Sequence, residues 1–340
     1  MSQTSLRSRA SVTTRGIAAV AAATLLLAAC GDGGDDTDNG ETANSGAETD
    51  TETQAAGEAG ERDLTLEVGT VLPQTGALAF LGPPQIAGVK AAVADINAAG
   101  GVNGKPVVQR DADSGDTSTD IASQSVDRLL SEKSDVIIGA ASSGVSMTVI
   151  DKITGAGAVQ LSPANTSPDF SRYEDNGLYF RTAPSDVLQG RVLGNVVVQD
   201  GHSNVGVLAL DDPYGKGLAA NVQKSVEDGG GAVSTDPIIY DPKAAGFSAE
   251  VTQLKSSNPD AIVLIGFDET KKIVPELKAQ GIGPDTVPLY FTDGNLNDYS
   301  SDFPAGLLDG VKGTQPGAEI KGDLREKACD FVLDHAGSLL

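Results

Sequence analysis

From Leu64 to Phe291 the chain repeats one pattern: a short apolar run, a few turn residues, then a segment whose apolar positions recur every three to four residues. The runs suit strands of a parallel sheet and the periodic segments suit helices packed on it, so the alternation predicts successive βαβ units. Strands are expected over 64–72, 106–110, 135–139 and 158–161. Between them, one helix starts near Pro84 with Ile86, Val89, Val93 and Ile96 at helical spacing and ends at Gly100 and Gly101. Two more are expected over 118–131 and 145–154. A second set follows, with strands over 204–210, 237–240, 261–265 and 287–291 and helices from about Tyr214, Phe247 and Glu269.

Two successive α/β sheets imply two lobes, joined around 182–186 and again near 310–313. The first lobe is expected over 64–183 and the second over 184–310, with 311–340 returning to the first. Parallel strands send their βα loops to one edge, so ligand contacts should collect in a cleft between the lobes.

The front of the chain follows other rules. Arg7, Arg9 and Arg15 precede an apolar stretch from Gly16 to Ala29, which runs into Cys30 through Leu27, Ala28 and Ala29. That is the layout of a secretory signal over residues 1–29. The stretch is shorter than the roughly 20 residues that a membrane span needs. Residues 31–63 hold eleven acidic side chains and one basic one, Arg62, with almost no apolar area. Such a composition cannot offset the entropy of ordering it, and with Cys30 it predicts a solvated tether over 30–63. A calcium loop over 35–46 is not expected, because Thr37 and Gly46 stand where ligands belong.

This leaves 277 of the 340 residues for the folded part, enough for two lobes. The formal net charge of -23 argues against nucleic acid and suits an exported protein. Cys30 and Cys329 are the two cysteines, and His202 and His335 the two histidines. Neither an internal disulfide, a zinc site nor any cofactor is expected.

Two loops in the first half stand out. Ser142, Ser143 and Gly144 follow the third strand, and "SPANTS", 162–167, follows the fourth. Hydroxyls, free backbone N–H groups and a following helix start suit an anion such as a carboxylate, although serines there also serve simply as helix caps. The second half offers Tyr214 in "DDPYGKGL", Phe267 in "LIGFDE" and Asp293 in "YFTDG". Two aromatics and a carboxylate suit an ammonium group. Taken singly, each also reads as a turn, core or cap residue.

The segments "LPQTGALAFLGPPQIAGVKAAVADINAAGGVNG", "IIGAASSGVS", "LSPANTSPDF", "YFRTAPSDVLQG", "DDPYGKGL" and "YDPKAAGFSAEVTQLK" occur in order between Leu64 and Gly317. Together they resemble the extracellular solute receptors of branched-chain amino acid type ABC importers. The resemblance implies a type I periplasmic-binding-protein fold, two Rossmann-like lobes joined by hinge strands, and binding without catalysis. Ser143, Ala164 and Thr166 match positions that hold a ligand carboxylate, and Asp293 matches the acidic position that takes the α-ammonium. Tyr214 and Phe267 match positions that cover the ligand. Leu81, preceded by Phe80, stands where leucine-type receptors often carry an aromatic. These departures leave open branched-chain amino acids, other amino acids, amides, urea and aromatic acids. The sequence Leu-Ala-Ala-Cys resembles a bacterial lipobox, which implies lipid on Cys30 and anchoring to the outer face of the cell membrane. Permease and ATPase subunits are the implied partners. Members of this family usually continue beyond the equivalent of "GTQPGAE", so a shortened C-terminus and some exposed apolar surface on the first lobe are expected.

Two other functions fit parts of the sequence. A ligand-sensing module for a signalling partner would use the same fold. A secreted serine hydrolase would read Ala140, Ser142 and Gly144 as a loose nucleophile elbow, with His335 as the late histidine of a triad.

Overall fold

The computed structural model describes residues 64–317. The signal segment, Cys30, the acidic tether, Cys329 and His335 lie outside the described residues. Among the described residues no helix is long and apolar enough to cross a membrane.

The first lobe runs β1 (Glu67–Leu72), α1 (Gly82–Ala98), β2 (Val108–Asp113), α2 (Ile121–Ser131), β3 (Val136–Gly139), α3 (Ser143–Gly155), β4 (Val159–Ser162) and β5 (Tyr179–Arg181). Its five strands form one parallel sheet in the order β2-β1-β3-β4-β5. The second lobe runs α4 (Asp186–Gln199), β6 (Asn204–Leu210), α5 (Pro213–Asp228), β7 (Ala232–Val233), β8 (Ile238–Tyr240), α6 (Ser248–Ser256), β9 (Ala261–Ile265), α7 (Thr270–Ala279), β10 (Leu289–Phe291) and β11 (Lys312–Gly313). Its sheet follows the order β11-β10-β9-β6-β7, and β8 pairs the same side of β6 further along. All of its pairs are parallel too.

The central strands behave as their composition requires. β9 reads AIVLI and is buried throughout, and β6 is buried after its first residue, because helices cover both sheet faces. β2 reads VQRDAD and tolerates its charges because it lies at a sheet edge, where Arg110 pairs with Glu67 of β1. The larger core surrounds β6, β9 and β10, anchored by Tyr240, Phe247 and Leu254, and a smaller one joins Val71, Val126, Ile137 and Val149 in the first lobe. Ile96 of α1 and Phe180 of β5 keep exposed apolar side chains.

α4 and α5 lie close together because α4 carries glycines on the shared face. A Cβ on Gly194 would stand 2.5 Å from Ser225 Cβ and 3.0 Å from the Val222 carbonyl oxygen. Gly88 on α1 has no neighbouring atom within 4 Å of the same construction. Alanine improves helix propensity equally at both sites, by about 1 kcal/mol, but at Gly194 the overpacking outweighs it. Urea unfolding should therefore show Gly88→Ala stabilising by about 0.5–1 kcal/mol and Gly194→Ala destabilising by about 1–2 kcal/mol. Equal shifts at the two positions would refute the packing account.

Candidate functional site

The loops that leave β3 and β4 are fastened to each other before they meet any ligand. Ser146 Oγ accepts from the Ala140 N–H at 2.9 Å, and Ser162 Oγ donates to the Ala140 carbonyl at 2.7 Å. Asn165, fully buried, donates to the carbonyls of Ala140 and Ala141 and accepts from the Tyr179 hydroxyl. From behind, Arg181 donates to the carbonyls of Asn165 and Ser167. Ser142 caps α3 by accepting from the Val145 N–H, and Ser143 Oγ accepts from the Ser167 N–H at 3.3 Å. These bonds satisfy most of the buried polar groups of the two loops and fix Ser143, Ala164 and Thr166 along one wall.

The opposite wall comes from the second lobe. Tyr214 stands in the first turn of α5, and its ring stacks on Phe267 at 5.4 Å between centroids. Its hydroxyl donates to Asp293 Oδ1 at 2.8 Å and shares a hydrogen bond with Thr292 Oγ1. Asp293 opens a 3-10 turn after β10. Gln189 of α4 reaches the same oxygen: its Nε2 donates to Asp293 Oδ1 and to the Thr314 carbonyl, each at 3.0 Å.

All seven residues singled out in the sequence, Leu81, Ser143, Ala164, Thr166, Tyr214, Phe267 and Asp293, line a single cavity of about 40 Å³ between the walls. Leu78, Ala141, Ser142 and Gly294 complete it. Leu78 drew no attention in the sequence because it is an ordinary apolar residue in a loop. Phe80 does not line the cavity.

The electrostatics of the cleft are one-sided. Burial raises the Asp293 carboxyl above its ordinary range, while bonds from Tyr214 and Gln189 pull it back. Asp186, fully buried at the start of α4, is pushed up to about 8 by burial and by the nearby Asp293. Neither of its carboxylate oxygens has a hydrogen-bond partner at normal geometry. Asp212 caps α5 by accepting from the Gly215 N–H at 2.7 Å and is pushed up to about 6, chiefly by burial. Its Oδ2 faces the first turn of α3, where a Cβ on Gly144 would stand 3.1 Å away. No lysine or arginine lines the cavity. The second lobe thus offers the carboxyl group of Asp293, and the first offers hydroxyls and the amino end of α3.

Asp186 and Gln189 lie outside the loops that the strand pattern marks as ligand edges, and Asn165, although within 162–167, shows its part only through the carbonyls it meets in the fold. His202 packs edge-on against Tyr290 at the far end of the second lobe, and Ser142 is occupied as a helix cap.

A family model described as periplasmic binding protein matches residues 65–321. Leu/Ile/Val-binding protein homolog 3 of Brucella melitensis is 30% identical over 211 residues, 60% of this chain and 55% of that protein. An amino acid binding protein of Pseudomonas aeruginosa is 28% identical over 239 residues, 68% of this chain and 61% of that protein. The aligned part thus spans less than two thirds of either relative's length. Among solved structures, the branched-chain amino acid transporter substrate-binding protein LivJ of Streptococcus pneumoniae, in complex with isoleucine, shares the fold at a TM-score of 0.62 and 24% identity, covering 80% of this chain and 78% of that one. A solute-binding protein of an ABC transporter from Rhodopseudomonas palustris, in complex with 4-hydroxybenzoate, does so at 0.67 and 18% identity, covering 81% and 74%. With a family match over more than half its length, two parallel α/β lobes and a cleft at their strand ends, the chain belongs to the periplasmic binding protein family, with the type I fold of its leucine/isoleucine/valine-binding-like members.

Proposed function

We propose that the chain is the solute receptor of an ABC-type importer and that it holds an α-amino acid between its lobes. The observation that carries this reading is the juxtaposition, across one cavity, of Ser143 and Thr166 with the Asp293–Tyr214 pair. A carboxylate finds hydroxyl and N–H donors on the first lobe, and an ammonium finds a buried carboxylate on the second. Capture involves no covalent chemistry. The solute binds the first lobe, the second lobe closes, and closure is favoured by whatever contacts exist only in the closed state.

The names of the relatives point to amino acids, whereas one structural neighbour was solved with an aromatic acid. Asp293 favours the amino acid, because an anion lacking an ammonium group would leave its carboxylate unpaired across the cavity. Lipid on Cys30, an extracytoplasmic position and delivery to a permease belong to the same proposal, as does the absence of enzymatic turnover.

A thermal-shift screen of the full chain tests the assignment, because a ligand that binds only the native state raises its melting temperature. α-Amino acids are expected to raise it and benzoates to leave it unchanged. A shift with benzoates and none with amino acids would overturn the reading.

A further inference from the structure

Beside the solute cavity the two lobes meet along a seam, where α3 and the 3-10 turn Pro168–Arg172 of the first lobe face α5 of the second. Both sides carry a glycine at the contact. A Cβ on Gly217 of α5 would stand 2.7 Å from Pro168 Cδ, and its three nearest neighbours all belong to the first lobe. A Cβ on Gly144 of α3 would stand 3.1 Å from Asp212 Oδ2 of the second. Lys243 joins the lobes at the rim by donating to the Thr117 carbonyl at 3.0 Å. Gly144, Pro168, Asp212 and Gly217 line no part of the solute cavity. Their effect falls on the approach of the lobes and not on the solute.

Asp212 is the costly member of this seam. Its Oδ1 caps α5, but its Oδ2 is buried with no hydrogen-bond partner at normal geometry. With the lobes together that oxygen faces the first turn of α3, and with the lobes apart it would face the open cleft and water. A helix terminus attracts a carboxylate only modestly, whereas taking an ion out of water without a partner costs several times more. The same balance shows in the group itself. Burial is the largest influence on its carboxyl and Glu269 adds to it, while the N–H groups of Gly215 and Tyr214 and the Lys216 ammonium pull the other way and still leave it at about 6.

We infer that this seam sets the closing equilibrium without touching the solute: Gly144 and Gly217 let the lobes approach, and Asp212 opposes the approach. The inference rests on the reading above in taking closure as the step that retains the solute, and it adds what that step works against. Measured affinity is intrinsic affinity scaled by the closing equilibrium, so a change in the seam multiplies the affinity for every solute by one factor. A change in the cavity alters the ratios between solutes instead.

Calorimetric titration of the full chain with leucine, glutamine and alanine, beside hydrogen exchange of the solute-free protein, tests it. Asp212→Asn keeps an acceptor for the cap and removes the charge. It is expected to tighten every solute that binds by one common factor, about three- to tenfold, and to slow exchange over 142–147 and 166–172. Gly217→Ala favours the helix but strikes Pro168 on closure. It is expected to weaken every solute by one common factor, about tenfold, and to speed exchange over the same stretches, with a urea midpoint no lower than that of the wild type. Exchange within α2, which takes no part in the seam, should stay unchanged in both. Affinity ratios among the solutes that shift in either variant would overturn the inference, as would affinities and exchange that neither variant moves or that move in the opposite sense. If no α-amino acid binds at all, the headgroup reading falls and the exchange data decide the seam by themselves.

Discussion

Asp293→Ala is expected to weaken α-amino acid binding by about 2–5 kcal/mol, roughly thirtyfold to several thousandfold. The magnitude follows from where the carboxylate sits. Tyr214 and Gln189 both donate to Oδ1, and a carboxylate offers about four acceptor sites, so acceptor capacity remains for a solute ammonium. Removing the carboxylate would leave that ammonium enclosed without a counter-charge, which costs more than the pair itself contributes. The free protein should respond in the opposite sense. Asp293 lies buried near Asp186, and its ionised form is disfavoured there, so Asp293→Asn is expected to match or exceed the wild-type urea midpoint at pH 8. Calorimetric titration and urea unfolding on the same variants check both halves. Unchanged affinity in the alanine variant would remove Asp293 from the proposed site.

The second large effect concerns Asp186 and pH. Its carboxyl stands near 8 in the folded chain against 3.8 for the ordinary group, raised by burial first and by Asp293 next. Thr166 and Arg181 pull it down, and Asp212 adds to the rise. Between those two values the folded state keeps a proton that the unfolded state has released. Stability from this group is therefore fully present below about pH 4, declines as pH rises, and is lost once pH passes about 8. The slope has an upper limit of about 1.4 kcal/mol per pH unit for one proton. Asp293, raised, and Asp212, near 6, act in the same direction. Asp186→Asn should remove Asp186's share, so the variant gains on the wild type at pH 8 and the two converge near pH 4. Urea midpoints at pH 5 and pH 8 provide the measurement, and identical slopes for the two proteins would refute it.

The parts of the fold that the sequence announces are those whose local pattern and tertiary setting agree. β6, β9 and β3 are apolar runs bounded by turn residues, and they lie within a residue of where the pattern puts them. β2 is displaced from 106–110 to Val108–Asp113, because an edge strand can carry charges that a central one cannot. α4 is not among the helices that the pattern predicts. Its two glycines and its run of valines argue against a helix locally, and the close approach to α5 is what makes those glycines useful. The short β5 and β11 exist through pairing with β4 and β10 and carry too few residues to show a period. The seven candidate residues reached one cavity because parallel strands place their following loops at one edge. The groups that hold them are less legible: Asn165 sits within the same loop and reaches across to the other, Arg181 comes from behind, and Gln189 and Asp186 come from the helix that the pattern hides.

Gln189 has a further consequence for any attempt to redesign this protein. One amide nitrogen is shared between Asp293 in the cavity and Thr314 just after β11. A substitution that shifts Asp293 to suit a new solute also disturbs the fastening of Thr314. A sensor built from this chain would therefore need both ends of that amide retuned together.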